Sequence, residues 1–334
     1  MNPFWIEPAA TVAEATNIGS TAAKDVTFIA GGTNIVDMMK MGVTNPEHLV
    51  DILSLRATHS FVEVSHDRVR IGALATMSEI TNNPKVRKYW PALVSAISQS
   101  ASPQIRNAAT SGGNLLQRTR CSYFRDYRSA CNKRVPGSGC SAIGGETREL
   151  AILGTSRHCI ANYPGDMAVA LTLFETTIRL ESSNGAARTV PIGDFYLLPG
   201  STPDRETELQ EGELITEISI PKGDWDTSIY LKLRDRESYA FALASVAVAV
   251  KLKGNIISDL RVVVGGLAAR PWRCLSIENA QRGQILNPRA IESAARLLFA
   301  DADLDEHRAF KVELGIRVIL RALNLAVSQS VKSV

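Results

Sequence analysis

The chain has no run of 18 or more apolar residues, so no segment is long enough to cross a bilayer as a helix. A surplus of one charge is also missing. Lys and Arg number 37 against 34 Asp and Glu, a formal +3, and nothing global argues for a nucleic-acid or anionic-membrane partner. Five cysteines in 334 residues are too few for a disulfide-stapled scaffold, and a chain of this length needs none. The opening, from Met1 to Ala10, has neither a basic n-region nor an apolar h-region, so the expectation is a chain without a secretory signal of its own. What is present is ordinary for a soluble globular protein: 45% hydrophobic and 21% charged residues. At about 150 residues per domain, two domains are expected.

Short apolar runs alternate with helical patterns along the chain. Strands are expected at 26–30, 48–53, 68–72, 177–180 and 214–220, where apolar residues alternate or cluster between breakers. A helix is expected over 92–100, closed off by Pro103, and residues 166–174 are apolar and regular. Pro221, Gly223 and two Asp residues make a polar break near 221–228, a candidate boundary. Beyond it, 241–250 is a small-residue helix or strand. The pair 248–252 and 260–264 reads as a hairpin around Lys253-Gly254-Asn255, and helical patterns over 288–300 and 307–328 end the chain.

Two glycine motifs stand out. Gly31-Gly32-Thr33-Asn34 follows a strand and precedes a helix, where N–H groups in a tight turn can cradle a pyrophosphate. Its spacing matches neither a dinucleotide-binding fingerprint nor a P-loop. Thr110-Ser-Gly-Gly-Asn114 is a second glycine turn, and two such loops would clamp one diphosphate; each alone reads equally as a tight turn.

Cysteine placement is uneven. Cys121, Cys131, Cys140 and Cys159 lie in one 39-residue window with spacing x9, x8 and x18, whereas Cys274 stands apart and reads as a buried thiol. No close C-x₂₋₄-C pair of the structural-zinc kind is present. An irregular loop with four thiols suits a cubane iron–sulfur cluster, and four free thiols, two disulfides or a zinc site stay open on spacing alone. His158 beside Cys159 reads as a surface or supporting residue. Between Arg118 and Arg134 six cations face one Asp, so this stretch carries +5 and the rest sums to −2. Cations beside a thiolate-ligated cluster would stabilise its negative charge; the alternative is a solvated basic face that docks a partner.

Taken in order, these motifs resemble the FAD-binding subunits of the xanthine dehydrogenase family of molybdenum hydroxylases. The resemblance runs nearly end to end. It rests on Pro3-Phe4 with Pro8, Ala30-Gly-Gly-Thr-Asn-Ile35, Ala109-Thr-Ser-Gly-Gly-Asn-Leu115, Tyr163-Pro-Gly-Asp-Met167, Lys232 in Tyr-Leu-Lys-Leu-Arg, and Gly265-Gly-Leu-Ala-Ala-Arg-Pro271. The segment Gly112 to Cys140 looks nearer still to the flavoprotein subunit of bacterial periplasmic aldehyde oxidoreductases, which carries an extra [4Fe-4S] cluster. Two departures stand in the motifs: Asn34 where many relatives have Asp, and Gly165 where Ser is common.

The resemblance implies an α+β fold: a two-subdomain FAD-binding (PCMH-type) region over 1–225, with an iron–sulfur insert at 118–160, then a C-terminal sheet-plus-helices domain over 228–330, like that of CO dehydrogenase flavoproteins. FAD would be held by Ile29, Ala30, Gly31, Gly32, Thr33, Asn34 and Ile35, by Thr110, Ser111, Gly112, Gly113 and Asn114, and by Asp166, with Ile215 and Lys232 near the isoalloxazine ring. Cys121, Cys131, Cys140 and Cys159 would ligate the [4Fe-4S] cluster. No residue of this chain is assigned a catalytic role. The implied activity is electron transfer within a molybdenum-dependent aldehyde oxidoreductase. A large molybdopterin-binding subunit and a small [2Fe-2S] subunit would be the partners, and an external acceptor would take the electrons. The alternatives are the flavoprotein subunit of a hydroxybenzoyl-CoA reductase or another hydroxylase of the family and, in a different class, a zinc-stabilised nucleotide-binding or assembly protein. Neither nucleic acid nor membrane insertion is expected. The compartment would be the cytoplasm, or the periplasm by co-export with a signal-bearing partner.

Overall fold

In the computed structural model, which describes residues 1–20 and 26–332, the chain forms three separate sheets with helices between and around them. The first is parallel, with β1 (Trp5–Pro8) and β2 (Val26–Ile29) flanking β3 (His48–Asp51). The second is antiparallel and contains β4 (Val62–Val64), β5 (Arg68–Gly72), β6 (Thr177–Glu181), β7 (Ala187–Pro191) and β8 (Leu214–Pro221), in the order β4-β5-β8-β6-β7. The third holds β9 (Thr227–Leu233), β10 (Ala244–Lys253), β11 (Ile256–Gly265) and β12 (Trp272–Arg273), in the order β12-β11-β10-β9. The fold is α+β, as the resemblance implied.

The ambiguous run over 241–250 resolves as β10, and its composition has a packing cause. Ala247 and Ala249 face the core shared with the five-stranded sheet, whereas Val246, Val248 and Val250 face the C-terminal helices. A strand buried on both faces reads as a continuous apolar run without alternation. Its hairpin with β11 closes through Gly254-Asn255, since Lys253 pairs with Ile256 and Gly254 has φ +58. Helix Phe310–Lys332 packs on β9 and β10 and is the longest element of the chain. Helix Asp166–Leu173 has all eight residues buried, and it is wedged between helix Pro91–Ser98 and strands β10 and β11. An element apolar all round belongs in the interior, and this one carries Asp166 there.

Two local expectations change. Pro103 does more than close the preceding helix: it is the first residue of a new one, Pro103–Ala108, capped by Ser102. The second glycine motif is not a free turn. Thr110 caps a short helix, Ser111–Leu115, by accepting the Gly113 N–H.

Candidate functional site

A cleft of about 710 Å³ opens between the two glycine motifs and the start of the third sheet. At its wall β9 presents Lys232, and Tyr230, two residues earlier and therefore on the same face, stands buried behind it. Both reach across to Asp166 at the first turn of the buried helix. Tyr230 Oη donates to Asp166 Oδ1 at 2.5 Å and Lys232 Nζ to Oδ2 at 2.7 Å. The Lys232 and Asp166 side chains are 1% and 5% exposed, so Lys232 is not a surface lysine. Burial pushes the Asp166 carboxyl up, and the Lys232 ammonium pulls it back. Lys232 also donates to the Gln99 carbonyl at 3.2 Å, and Arg234 to the same oxygen at 3.0 Å. Among the described residues, two of the three non-glycine residues with positive φ, Ala101 (φ 46) and Tyr239 (φ 52), line this cleft. Backbone held in that sparsely populated region tends to gather at functional sites.

The two glycine motifs contribute unequally. Thr33 and Asn34 of the first line the cleft, while Ile29, Ala30, Gly31, Gly32 and Ile35 support them from behind. A Cβ on Gly31 would lie 1.9 Å from the Ala108 carbonyl oxygen, so glycine there lets the two motifs approach, and Gly32 takes φ +68. The N–H groups of Gly32, Thr33 and Asn34 find no acceptor among the described residues. In the second motif the N–H groups of Ser111 and Gly112 are already bonded to the Ala75 and Ala73 carbonyls, and Thr110 takes those of Gly113 and Asn114. Only Gly113 and Asn114 of this motif line the cleft; Thr110, Ser111 and Gly112 are buried behind it. A clamp made of N–H groups from both loops is therefore corrected to one loop of free N–H groups facing one side-chain amide. Asn34 Nδ2 and Asn114 Oδ1 are buried without a partner. Asn34 Oδ1 accepts the Arg118 N–H at 3.4 Å, which leaves its amide nitrogen free to donate. Such orphaned polar atoms fit a bound polar ligand. Ile215 lies in the core of the five-stranded sheet opposite Leu180 and does not line the cleft.

The four clustered cysteines meet. All are free thiols, and they pack with Phe124, Ala142, Leu150 and Ile160 in a small separate core. Cys131 and Cys140 pair across an antiparallel bridge. Burial pushes the Cys121 thiol up to about 11, opposed by the Phe124 and Tyr123 N–H groups and reinforced by Cys131 and Cys159. Burial likewise raises Cys159, with the Lys133 charge and the Ala161 N–H opposing it. Among the described residues no three His, Cys, Asp or Glu side chains stand close enough to share one metal ion. His158 turns away, its ring taking the Arg157 Nε at 3.2 Å, and Cys274 is fully buried in the C-terminal core.

The basic run is not a solvated face. Arg118 and Lys133 converge on Glu206 at 2.8 and 2.7 Å, and Arg134 donates to the Tyr123 and Phe124 carbonyls at 3.0 and 2.7 Å. Arg120 and Arg125 share the single carboxylate of Asp37. Only Arg128 of the six is left mostly exposed, at 75%. Arg120 Nε and Arg125 Nη1 are buried without acceptors. Two guanidinium groups against one carboxylate leave an unbalanced positive charge at the cleft, which Arg120 lines, and their orphaned N–H groups fit a bound anion.

Comparison with known proteins settles the family. The sequence model for the FAD binding domain in molybdopterin dehydrogenase matches residues 2–223, and that for the CO dehydrogenase flavoprotein C-terminal domain matches 229–326. The chain belongs to the FAD-binding subunits of the molybdenum hydroxylases. It is 40% identical over 331 residues to the aldehyde oxidoreductase FAD-binding subunit PaoB of Escherichia coli K12, covering 99% of this chain and 100% of that one. The glyceraldehyde dehydrogenase medium chain of Sulfolobus acidocaldarius is 30% identical over 267 residues, 80% of this chain and 77% of that one. A carbon monoxide dehydrogenase from Hydrogenophaga pseudoflava superposes with a TM-score of 0.76 at 25% identity, over 98% of both chains. This molybdenum hydroxylase subunit is thus an FAD-binding oxidoreductase subunit.

Sequence reasoning missed one residue that lines the subunit's cleft, Arg120, and two that stand behind it, Tyr230 and Asp37. Tyr230 announces itself only by its two-residue offset from Lys232. Arg120 was submerged in the basic run, although it lines the cleft and stacks on Phe241 with 4.9 Å to the ring centroid. Asp37, which pairs with both Arg120 and Arg125, had no signal at all.

Proposed function

We propose that this chain is the FAD- and [4Fe-4S]-carrying electron-transfer subunit of a molybdenum-dependent aldehyde oxidoreductase. Aldehyde becomes carboxylic acid at the molybdopterin centre of a large partner, and this chain passes electrons from the [2Fe-2S] centres of a small partner to an external acceptor. The observation that carries the reading is the position of Cys121, which belongs to the four-thiol core and also lines the cleft. The 40% likeness to a subunit named for an aldehyde oxidoreductase supports the substrate class.

The residues fit both groups. For FAD, the free N–H groups of the first loop and the Asn34 and Asn114 amides suit the diphosphate, and the Asp166–Lys232 pair suits the ring end. The remaining residues of the two motifs, from Ile29 to Ile35 and from Thr110 to Gly112, position these groups. Residues 1–225 make up the FAD part and 228–330 the C-terminal unit. For the cluster, Cys121, Cys131, Cys140 and Cys159 supply four thiols, N–H groups already point at the sulfurs of Cys121 and Cys159, and the unpaired N–H groups of Arg120 and Arg125 carry positive charge that suits an anionic group nearby. Cys121, Cys131, Cys140 and Cys159 are gathered in one small core without three of them standing close enough to share a single metal ion, so they would hold a multi-iron cluster better than one zinc ion. When bound, FAD supplies the exchange between two-electron and one-electron chemistry and the cluster supplies one-electron storage. The chain's own side chains bind, orient and exclude water.

Metal and flavin analysis of the anaerobically purified complex tests this. Iron and FAD with the absorption of a [4Fe-4S] centre are expected, together with aldehyde-dependent reduction of the flavin. Zinc without iron or flavin would sink the redox reading, and reactivity with an aromatic CoA thioester instead of aldehydes would move the assignment to a hydroxybenzoyl-CoA reductase. We place the complex in the cytoplasm, or in the periplasm if a partner carries the export signal; cell fractionation decides between them.

A further inference from the structure

Three of the four clustered cysteines sit close together in sequence, but Cys159 comes 19 residues after Cys140. The segment that delivers it is a narrow loop. The Ala151 N–H donates to the Ile160 carbonyl at 3.0 Å, and Ser156 and Cys159 exchange backbone hydrogen bonds at 3.0 and 3.2 Å. The foot of this loop is bonded to the C-terminal unit on two sides. On one side Ile152 and Leu153 both donate to the Leu267 carbonyl, at 2.8 and 3.1 Å, and Ala269 donates back to Leu153 at 3.0 Å. On the other side, two cations from the last helix and the turn before it hold the neighbouring carbonyls. Lys311 Nζ donates to Leu150 at 2.8 Å and to Gly266 at 2.9 Å, and Arg308 Nη1 donates to Ala151 at 2.6 Å.

Both cations are nearly inaccessible, Lys311 at 0% and Arg308 at 3%. Asp305 takes the Arg308 Nε at 2.9 Å and the Thr147 hydroxyl at 2.7 Å, but both acceptors of the Lys311 ammonium are carbonyls. Burying an ammonium without a paired carboxylate is costly. A helix that needed only to pack would place an apolar side chain there. The cost is met by fixing two carbonyls that belong to different units, one at the foot of the cysteine loop and one in the Gly265-Gly266 turn.

We infer that Lys311 and Arg308 are positioning residues for the fourth cluster thiolate. By holding the carbonyls of Leu150 and Ala151, they set where Cys159 meets the other three cysteines. The inference rests on the reading that these four cysteines hold a [4Fe-4S] cluster. It makes the C-terminal unit, more than a hundred residues further along the chain, part of the cluster's scaffold. Removing a group that orients a metal ligand lowers metal affinity by roughly 10–100-fold.

The test uses the intact complex carrying Lys311→Met, Arg308→Met, Arg308→Lys or Cys159→Ser. Iron per FAD and the electron paramagnetic resonance of the oxidised protein are recorded for each. Cys159→Ser should lose one iron and show a [3Fe-4S] signal. Lys311→Met and Arg308→Met should show the same signal at full FAD content, and Arg308→Lys, which keeps a donor for Ala151, should restore most of the [4Fe-4S] centre. If Lys311→Met does not accumulate, the Arg308 pair carries the comparison. Full [4Fe-4S] content in both Met variants overturns the inference while leaving the cluster reading intact. So does a parallel loss of FAD and iron, which would mark general unfolding. A wild-type complex without cluster iron overturns the cluster reading itself, and the inference with it.

Discussion

Replacing Lys232 by methionine keeps the length of a side chain that is 1% exposed and removes only its charge and hydrogen bonds. Asp166 is then left in the interior with the Tyr230 hydroxyl at 2.5 Å as its remaining side-chain donor. Breaking a buried ion pair costs about 3–5 kcal/mol, because one charge remains uncompensated. Asp166 has an escape, since it can take up a proton. With an unfolded carboxyl near pKa 3.9 and 1.36 kcal/mol per unit, protonation caps the penalty at about 4.2 kcal/mol at pH 7 and about 1.5 kcal/mol at pH 5. The sign follows: burial already holds the folded pKa of Asp166 above its unfolded value, and without Lys232 it rises further, so stability is retained at low pH and lost more steeply as pH rises. At about 2–4 °C per kcal/mol, the melting temperature should fall by about 8–16 °C at pH 7 and by about 3–6 °C at pH 5. Thermal melts followed by circular dichroism and by release of FAD fluorescence measure both. The double variant Asp166→Asn with Lys232→Met should abolish the pH slope. An equal penalty at pH 5 and pH 8, or one near zero at both, would refute the claim that this pair is buried and charged.

Other outcomes are equally specific. Cys131→Ser should remove cluster iron while most of the flavin stays bound, and stoichiometric iron in the purified variant would show that the ligand assignment is wrong. Gly31→Ala puts a Cβ 1.9 Å from the Ala108 carbonyl oxygen, and because backbone has to move, FAD should be lost on purification; a variant that retains flavin at wild-type affinity contradicts the close approach of the two motifs. Burial pushes the Lys311 ammonium down to about 7 from an ordinary 10.5. The unfolded chain therefore binds the extra proton between those values, and this residue makes stability rise with pH across that window. Chemical denaturation at pH 6.5 and pH 9 should show that rise in the wild type and lose much of it in Lys311→Met.

Several features were legible in the sequence because their cause is local. The hairpin of β10 and β11 has a two-residue Gly254-Asn255 loop between apolar strands, and strand alternation marks β5. The glycine motifs and the cysteine spacing are patterns of residue type, which need no coordinates. The ordered series of motifs was enough to place the chain in its family. The misreadings have a common origin. The second glycine motif looked like a phosphate cradle, but whether an N–H group is free depends on what packs against it, and here the Ala73 and Ala75 carbonyls do. The basic run looked like a solvated or docking face, yet Glu206 and Asp37 draw four of its cations inward from 73 and 83 residues away along the chain, counted from Lys133 and Arg120.

By itself, then, the sequence determined the family, the α+β class, the two glycine motifs and the set of four thiols, since each is written in residue identity and short-range period. Tertiary structure alone decided that Lys232 spends its charge on Asp166, that one loop and not two offers free N–H groups, that Cys121 belongs to both the cleft and the thiol core, and that Lys311 and Arg308 hold the foot of the loop carrying Cys159. Those facts join residues 66, 39 and about 160 positions apart. Periodicity reports which face of an element is buried. The partner that meets that face is chosen by chain topology, and burial then multiplies what each such meeting is worth in charge and hydrogen bonding.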